Sequence, residues 1–126
     1  MERRYVTVAE VELAHQIALD YGGSPGLRDR AALEAAVFRP QSGYYADAIE
    51  EAAALLESLV QNHPFVDGNK RTALLSTDLF LRFNGLTIDV EEKAGERFLL
   101  DNLNRGTFRF PVIVEWLRKV VQPLEE

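Results

Sequence analysis

Residues Asn69–Asn84 read NKRTALLSTDLFLRFN, and this stretch decides the fold of the chain. Its apolar residues recur at helical spacing and leave only a narrow polar arc around Arg71, Asp78 and Arg82. A helix that is apolar over most of its circumference is usually surrounded by other elements. We therefore expect this helix to be central in a bundle, with Asn84-Gly85 ending it through a left-handed cap.

Helical patterns also occupy most of the remaining chain. Five further helices are predicted over about Val8–Tyr21, Asp29–Val37, Ile49–Val60, Asp89–Asn104 and Pro111–Val121. The third of these carries Glu50, Glu51 and Glu57 opposite its apolar stripe, which predicts a surface helix. Segments 41–45 and 86–90 are the candidates for extended structure. The pattern as a whole predicts one compact all-α domain, residues 1–126, with about six helices packed around the 69–84 helix.

Capping residues mark three of the predicted helix starts. Thr7 followed by Glu10 predicts a capping box, in which each side chain bonds the other residue's backbone. Asp29 is predicted to be a single N-cap, and Asp89 with Glu92 is similar to a second capping box.

Composition restricts the class of protein. The chain has 126 residues, 14 Lys+Arg against 20 Asp+Glu, a net charge of −6 and no Cys. The absence of Cys excludes disulfides, thiolate metal sites and a cysteine nucleophile. The acidic balance argues against direct nucleic-acid binding, which needs a basic surface. No segment has the ~18 apolar residues of a membrane span, and the N-terminus lacks a signal-peptide pattern, so a cytoplasmic protein with no membrane contact is expected.

The segment HPFVDGNKRT, residues 63–72, carries the chemistry. It joins two predicted helices, and it places Lys70 and Arg71 in the first turn of the 69–84 helix. The positive end of the helix dipole disfavours cations there by up to ~1 kcal/mol. Two cations beside free backbone N–H groups are favourable if an anion binds, and phosphate is the most plausible one.

The neighbouring residues are consistent with phosphate chemistry. His63 suits a general base, because an unperturbed imidazole is largely neutral at pH 7. Asp67 could hold Mg²⁺, which typically takes one or two carboxylates together with substrate phosphates. Gly68 lets a ligand approach the backbone, and Asn69 offers a side-chain donor and acceptor. Phe65 is expected to anchor the loop by burying its ring between the helices.

Simpler interpretations exist for each residue alone. His63 could merely lie at a helix end, and Asp67 could be the N-cap of the next helix. Asp67 with Gly68 could be only a turn, and Lys70 with Arg71 only a solvated pair. The other histidine, His15, lies beside an apolar stripe and is expected to be a partly buried structural side chain.

The string HPFVDGNKR resembles the active-site motif of the Fic/Doc family. The death-on-curing (Doc) toxin form, H-x-F-x-D/N-A/G-N-K-R, matches every position from His63 to Arg71. The Fic form, H-P-F-x-x-G-N-G-R-x-x-R, differs at Lys70 and Leu74. Further Doc-like stretches are Tyr21-Gly22-Gly23, Pro25-Gly26-Leu27, Arg39-Pro40-Gln41, Thr72-Ala73-Leu74 and Phe80–Gly85.

This resemblance implies a fold and an activity. The fold would be a Fic/Doc-like bundle with the active loop between two central helices. The activity would be transfer of the γ-phosphate of ATP, with Mg²⁺, to a threonine of elongation factor Tu, which arrests translation. A small Phd-like antitoxin would neutralise the toxin.

The resemblance also implies roles for single residues. His63 would deprotonate the target hydroxyl, Asp67 would hold Mg²⁺, and Gly68 and Asn69 would donate to the phosphates. Lys70 and Arg71 would neutralise charge during transfer. A flap that consists of Arg39, Pro40 and Gln41 would position the target.

Three other functions remain open at this stage. Nucleotidyl (AMP) transfer in the Fic manner is opposed by Lys70 and Leu74. A non-catalytic regulatory module would keep the fold and act through its antitoxin on the operon. A ribonuclease is the weakest alternative, because the chain is acidic and His63 is the sole histidine near a cationic cluster.

Overall fold

A computed structural model describes residues 2–125 and shows a predominantly helical domain. Its α-helices are α1 (Val8–Leu19), α2 (Arg30–Phe38), α3 (Ala48–Gln61), α4 (Asn69–Phe83), α5 (Glu92–Arg105) and α6 (Phe110–Val120). The prediction of an all-α domain with about six helices is therefore confirmed. Met1 and Glu126, which the predicted domain 1–126 includes, lie outside the described residues. None of the helices within residues 2–125 is long and apolar enough to cross a membrane.

Side-chain caps mark three of the six α-helix starts in the described part of the chain, those of α1, α2 and α3. Thr7 and Glu10 form the predicted reciprocal capping box at α1, and Asp29 caps α2 through the Ala32 N–H. The box predicted at Asp89 is wrong, because α5 begins after Glu91 and no side chain caps it. At the other end of α4, Gly85 takes the left-handed conformation (φ 79°) that the sequence predicts there.

Helix α3 lies deeper in the bundle than its pattern predicts. It packs against α2, α4 and α6, and ten of its residues are buried, so the prediction of a surface helix is wrong. Glu51 is only 7% exposed, and its carboxylate accepts hydrogen bonds from Arg3 Nε (2.5 Å) and the Tyr5 hydroxyl (2.7 Å). These two partners make the burial of a charge tolerable.

Helix α4 is central, as predicted. It contacts α1, α3 and α5, and it buries Phe80 and Leu81 completely or nearly so. Leu75 is the exception to its apolar pattern, since this side chain is 36% exposed. The two helices with the most extensive mutual packing are thus α3 and α4, and the HPFVDGNKR segment is the connection between them.

The extended segments are short. The predicted strand near 86–90 is present as β1 (Leu86–Ile88), which pairs antiparallel with β2 (Val121–Pro123). The prediction of extended structure at 41–45 is wrong, because residues 41 and 42 belong to a 3-10 helix (Arg39–Ser42) and residues 43–45 form no strand in the described part of the chain. Pro40 supports the first turn of this helix, and Gly43 ends it with φ 80°.

Candidate active site

The connection between α3 and α4 is anchored by one aromatic residue. Phe65 is 3% exposed, which confirms its predicted role as the anchor of the loop. Its ring stacks on the imidazole of His15 from α1, with ring centroids 3.9 Å apart and planes 8° apart. His15 Nε2 lies 2.9 Å from the backbone oxygen of Asp67. His15 is therefore the buried structural side chain that the sequence predicts, and it supports both ends of the loop.

A second loop, residues 22–29, borders the first one. The two backbones form an isolated bridge between Leu27 and Phe65, and Val66 N donates to Gly26 O at 2.9 Å. The carbonyl of Pro64 accepts from the backbone N–H groups of Arg28 (2.8 Å) and Asp29 (3.0 Å). This pairing holds the motif in a fixed conformation, and no local sequence signal announces it.

Asn69 clamps the loop with its side chain. Its Oδ1 accepts from Phe65 N at 3.0 Å, and its Nδ2 donates to Phe65 O at 2.9 Å. Both polar groups of the amide are therefore engaged within the protein. Asn69 can still offer its backbone N–H to an anion, because this group lies in the first turn of α4, where N–H groups have no intrahelical acceptor.

The N-terminus of α4 presents free donors. Within the described residues, the backbone N–H groups of Asn69, Lys70 and Arg71 have no hydrogen-bond acceptor. The N–H of Gly68, by contrast, donates to Asp67 Oδ1 at 2.8 Å. Gly68 itself has φ 75°, which a residue without Cβ adopts at little cost. Gly68 thus lets α4 begin abruptly, and the three following N–H groups are the ones that face an incoming anion.

Asp67 is an exposed, ionised carboxylate. Hydrogen bonds from the backbone N–H groups of Ser24 (3.0 Å) and Gly68 lower the pKa of this carboxyl, and the charge of Lys70 contributes further. The N-cap of α4 is Gly68, so Asp67 does not cap the helix. Its pairing with Ser24 instead ties the motif to the 22–29 loop.

Asp67 fits a magnesium ion in one binding mode. Each of its carboxylate oxygens accepts one N–H and retains lone-pair capacity. No cluster of three or more His, Asp or Glu side chains suited to a metal occurs among residues 2–125. Mg²⁺ commonly binds through a single protein carboxylate, phosphate oxygens and water, and the donor set present here agrees with that mode.

The two adjacent cations of the motif have different environments. Arg71 Nη2 lies 2.6 Å from Glu96 Oε1, its Nε lies 3.7 Å from Glu92 Oε1, and its guanidinium lies over the Tyr21 ring at 4.2 Å. Lys70 is exposed, and no carboxylate within the described part of the chain lies within ion-pair distance of it. Lys70 is therefore the cation of this pair that forms no ion pair within residues 2–125.

These groups line a cleft of about 260 Å³ at the start of α4. Its walls are Asp67, Gly68, Asn69, Lys70, Arg71, Glu96, Leu99 and Leu100. The cleft combines free N–H groups, the Lys70 ammonium and one carboxylate, which suits a polyanion accompanied by a divalent cation. His63 is exposed two residues after the end of α3, and it is not among the residues that line this cleft.

The predicted flap lies outside that cleft. Arg39 bonds the Tyr45 hydroxyl (2.7 Å), Glu57 (2.7 Å) and Ser58 Oγ (3.0 Å), so its guanidinium is held on α3. Pro40 is buried, and Gln41 Nε2 donates to Val37 O at 3.3 Å. The structure does not bring these three residues to the phosphate-binding side, and their role in target positioning stays a prediction.

Comparison with known proteins gives a consistent result. The profile of the Fic/DOC family matches residues 5–81, which include the whole loop between α3 and α4. The chain is 45% identical over 89 residues to "Toxin Doc" of Mycolicibacterium smegmatis, covering 67% of each chain. It is 37% identical over 90 residues to "Protein kinase doc" of Escherichia phage P1, covering 68% of this chain and 71% of the relative.

Proposed function

This chain belongs to the Fic/Doc family, and we propose that it is a Doc-like toxin that transfers the γ-phosphate of ATP to a hydroxyl of a translation factor. One observation carries the proposal: Asn69, Lys70 and Arg71 line one cleft, and within residues 2–125 their backbone N–H groups have no acceptor and Lys70 has no ion-pair partner. The relatives named a toxin and a protein kinase support the assignment of the reaction class.

The proposed reaction gives each of these groups a role. A ring nitrogen of His63 accepts the proton of the target hydroxyl as its oxygen forms a bond to the γ-phosphorus. The bond from that phosphorus to the bridging oxygen breaks, and ADP leaves with the electron pair. The N–H groups of residues 69–71 and the Lys70 ammonium stabilise the charge on the phosphate oxygens. Asp67 would hold Mg²⁺, which would neutralise further phosphate charge.

Lys70 favours phosphoryl transfer over nucleotidyl transfer. The Fic form of the motif has Gly at this position, which leaves room for the α- and β-phosphates. In this chain a lysine side chain lines the cleft there. We therefore place the γ-phosphate at the start of α4, with Arg71 as a second, partly neutralised cation, because Glu96 shares its charge.

The target and partner proposals rest on the family. We propose a threonine of elongation factor Tu as the acceptor, a Phd-like antitoxin as the neutralising partner, and the cytoplasm as the place of action. The support is the name of the M. smegmatis relative, a toxin, together with the match of the family profile across the motif. Direct binding of nucleic acid is not part of the proposal, since the chain carries a net charge of −6.

Labelled ATP tests the proposal directly. The purified protein is incubated with elongation factor Tu, Mg²⁺ and either γ-labelled or α-labelled ATP. We expect label on the factor from γ-labelled ATP alone, and its loss in His63→Ala. Label from α-labelled ATP would assign nucleotidyl transfer instead. Growth arrest that persists unchanged in a His63→Ala strain would assign a non-catalytic module.

A further inference from the structure

One residue binds three consecutive carbonyl groups around His63. The guanidinium of Arg28 donates from Nε to His63 O at 2.5 Å and from Nη2 to Asn62 O at 2.7 Å. Its backbone N–H donates to Pro64 O at 2.8 Å. The last carbonyl groups of an α-helix have no N–H donor within the helix. Arg28 supplies donors to the next carbonyls along the chain, those that directly follow the end of α3.

The backbone of His63 needs this support. It has φ 46°, and every other residue with positive φ between residues 2 and 125 is a glycine. The left-handed region is sterically unfavourable for a residue with Cβ. Pro64 adds to the cost, because a proline drives the preceding residue toward extended conformations. An imidazole at this position therefore keeps its direction only while contacts hold the flanking peptide groups.

We propose that Arg28 is a positioning residue for His63. This inference rests on the proposed function, in which His63 is the general base. The planar fork of a guanidinium suits two neighbouring acceptors, and its charge is favourable at the negative end of α3. Without the guanidinium, the backbone of His63 relaxes from φ 46° toward a common conformation and carries the imidazole away from the acceptor hydroxyl.

Kinetics of Arg28→Ala test the inference, with Arg30→Ala as the matched control. Arg30 is two positions away and exposed, and its ion pairs are long, 3.9 Å to Glu12 and 4.0 Å to Glu34. We expect kcat of Arg28→Ala to fall about 10- to 100-fold, since small displacements of a catalytic group have effects of this size. KM for ATP should stay within about 2-fold, because Asn69 and Asp67 hold the cleft by separate contacts.

Conservative substitution separates positioning from folding. Arg28→Lys offers one cation to the same carbonyls without the fork, so it should recover part of kcat. Arg30→Ala should match the wild type. Equal kcat in Arg28→Ala and Arg30→Ala would overturn the inference, and so would a fall in kcat that Arg28→Lys does not relieve at all.

A spectroscopic measurement decides the point without reference to activity. The chain contains only two histidines, so the imidazole C–H correlation spectrum has two sets of signals. His15 serves as the internal reference, because its ring is held by Phe65 and by Asp67 O at the other end of the loop. We expect Arg28→Ala to shift or broaden the His63 signal and to leave that of His15 in place.

The outcomes are separable from those of the proposed function. An unchanged His63 signal in Arg28→Ala, or equal changes at both histidines, would overturn the positioning role, the latter by indicating general loss of the loop. Failure of the wild-type protein to transfer phosphate would refute the proposed function, and the spectrum would still decide whether Arg28 orients His63.

Discussion

Replacing Asn69 with alanine removes the two hydrogen bonds that join the start of α4 to Phe65. Each such bond contributes about 0.5–1.5 kcal/mol net, and a buried group left without a partner costs about 1–3 kcal/mol. Phe65 is 3% exposed, so water has little access to its backbone N–H and C=O groups, which lose the Asn69 amide as their partner. The better helix propensity of alanine returns at most ~0.7 kcal/mol. We expect a net loss of about 2 kcal/mol in the free energy of unfolding.

Urea denaturation measures this loss. With a slope of about 1–3 kcal/mol per molar, the unfolding midpoint of Asn69→Ala should fall by roughly 1 M. Asn104→Ala is the matched control, because Asn104 is an exposed asparagine in α5 whose side chain has no hydrogen bond within the described residues. The control should change stability by less than about 0.5 kcal/mol.

The reasoning has a clear point of failure. If Asn69→Ala and Asn104→Ala unfold at the same urea concentration, the amide does not stabilise the loop. We also expect the backbone N–H of Phe65 to exchange its hydrogen faster in Asn69→Ala, since this N–H loses its acceptor. Unchanged exchange of this amide would contradict the clamp independently of global stability.

Three further perturbations follow from the charges at the site. Lys70→Ala should lower kcat/KM for ATP about 10- to 100-fold. Its midpoint of thermal unfolding should equal that of the control Arg30→Ala, because the Lys70 side chain is exposed and forms no ion pair within residues 2–125. Folding lowers the pKa of Asp67 below its value of about 3.9 in the unfolded chain, so its ionised form stabilises the folded protein above that pH. This stabilisation disappears as the pH falls through the pKa of the folded state. We therefore expect the free energy of unfolding of Asp67→Asn to fall less between pH 7 and acid pH than that of the wild type. Identical pH profiles of the two proteins would contradict this prediction. Glu96→Gln removes the shorter of the two ion pairs of Arg71 and leaves that with Glu92, so ATP binding should tighten by less than about 5-fold, as measured by calorimetry. Weaker binding would show that the pair with Glu96 orients Arg71 productively.

Local sequence rules predict where the helices lie in the chain, but they do not predict how deeply each helix is buried. The capping box at Thr7 and the left-handed Gly85 follow from neighbouring residues alone, and both are present. The burial of α3 does not follow in this way, because it depends on partners distant in sequence. The sequence pattern predicts a solvated face for Glu51, yet Arg3 and Tyr5 bring their donors to it from the N-terminal segment.

The same distinction applies to the site. The motif predicted that residues 67–71 lie together and that a helix begins at Asn69. It did not reveal that the Asn69 amide is engaged by Phe65, or that Glu96 shares the charge of Arg71, since both depend on tertiary packing. Arg28 carries no motif signal at all, and only the pairing of two loops shows its contact with His63.

The pairing of those loops also constrains the order of events during synthesis. Arg28 and His63 are 35 residues apart in the chain, and closing a loop of that length costs about 3 kcal/mol of entropy. The packing of α4 against α1 and α3 is available to offset this cost only after α4 has left the ribosome. A nascent chain that ends before α4 therefore lacks both the oriented imidazole and the anion cleft. Glu96, Leu99 and Leu100 of α5 also line the cleft, so all of its residues are present only after α5 has been synthesised.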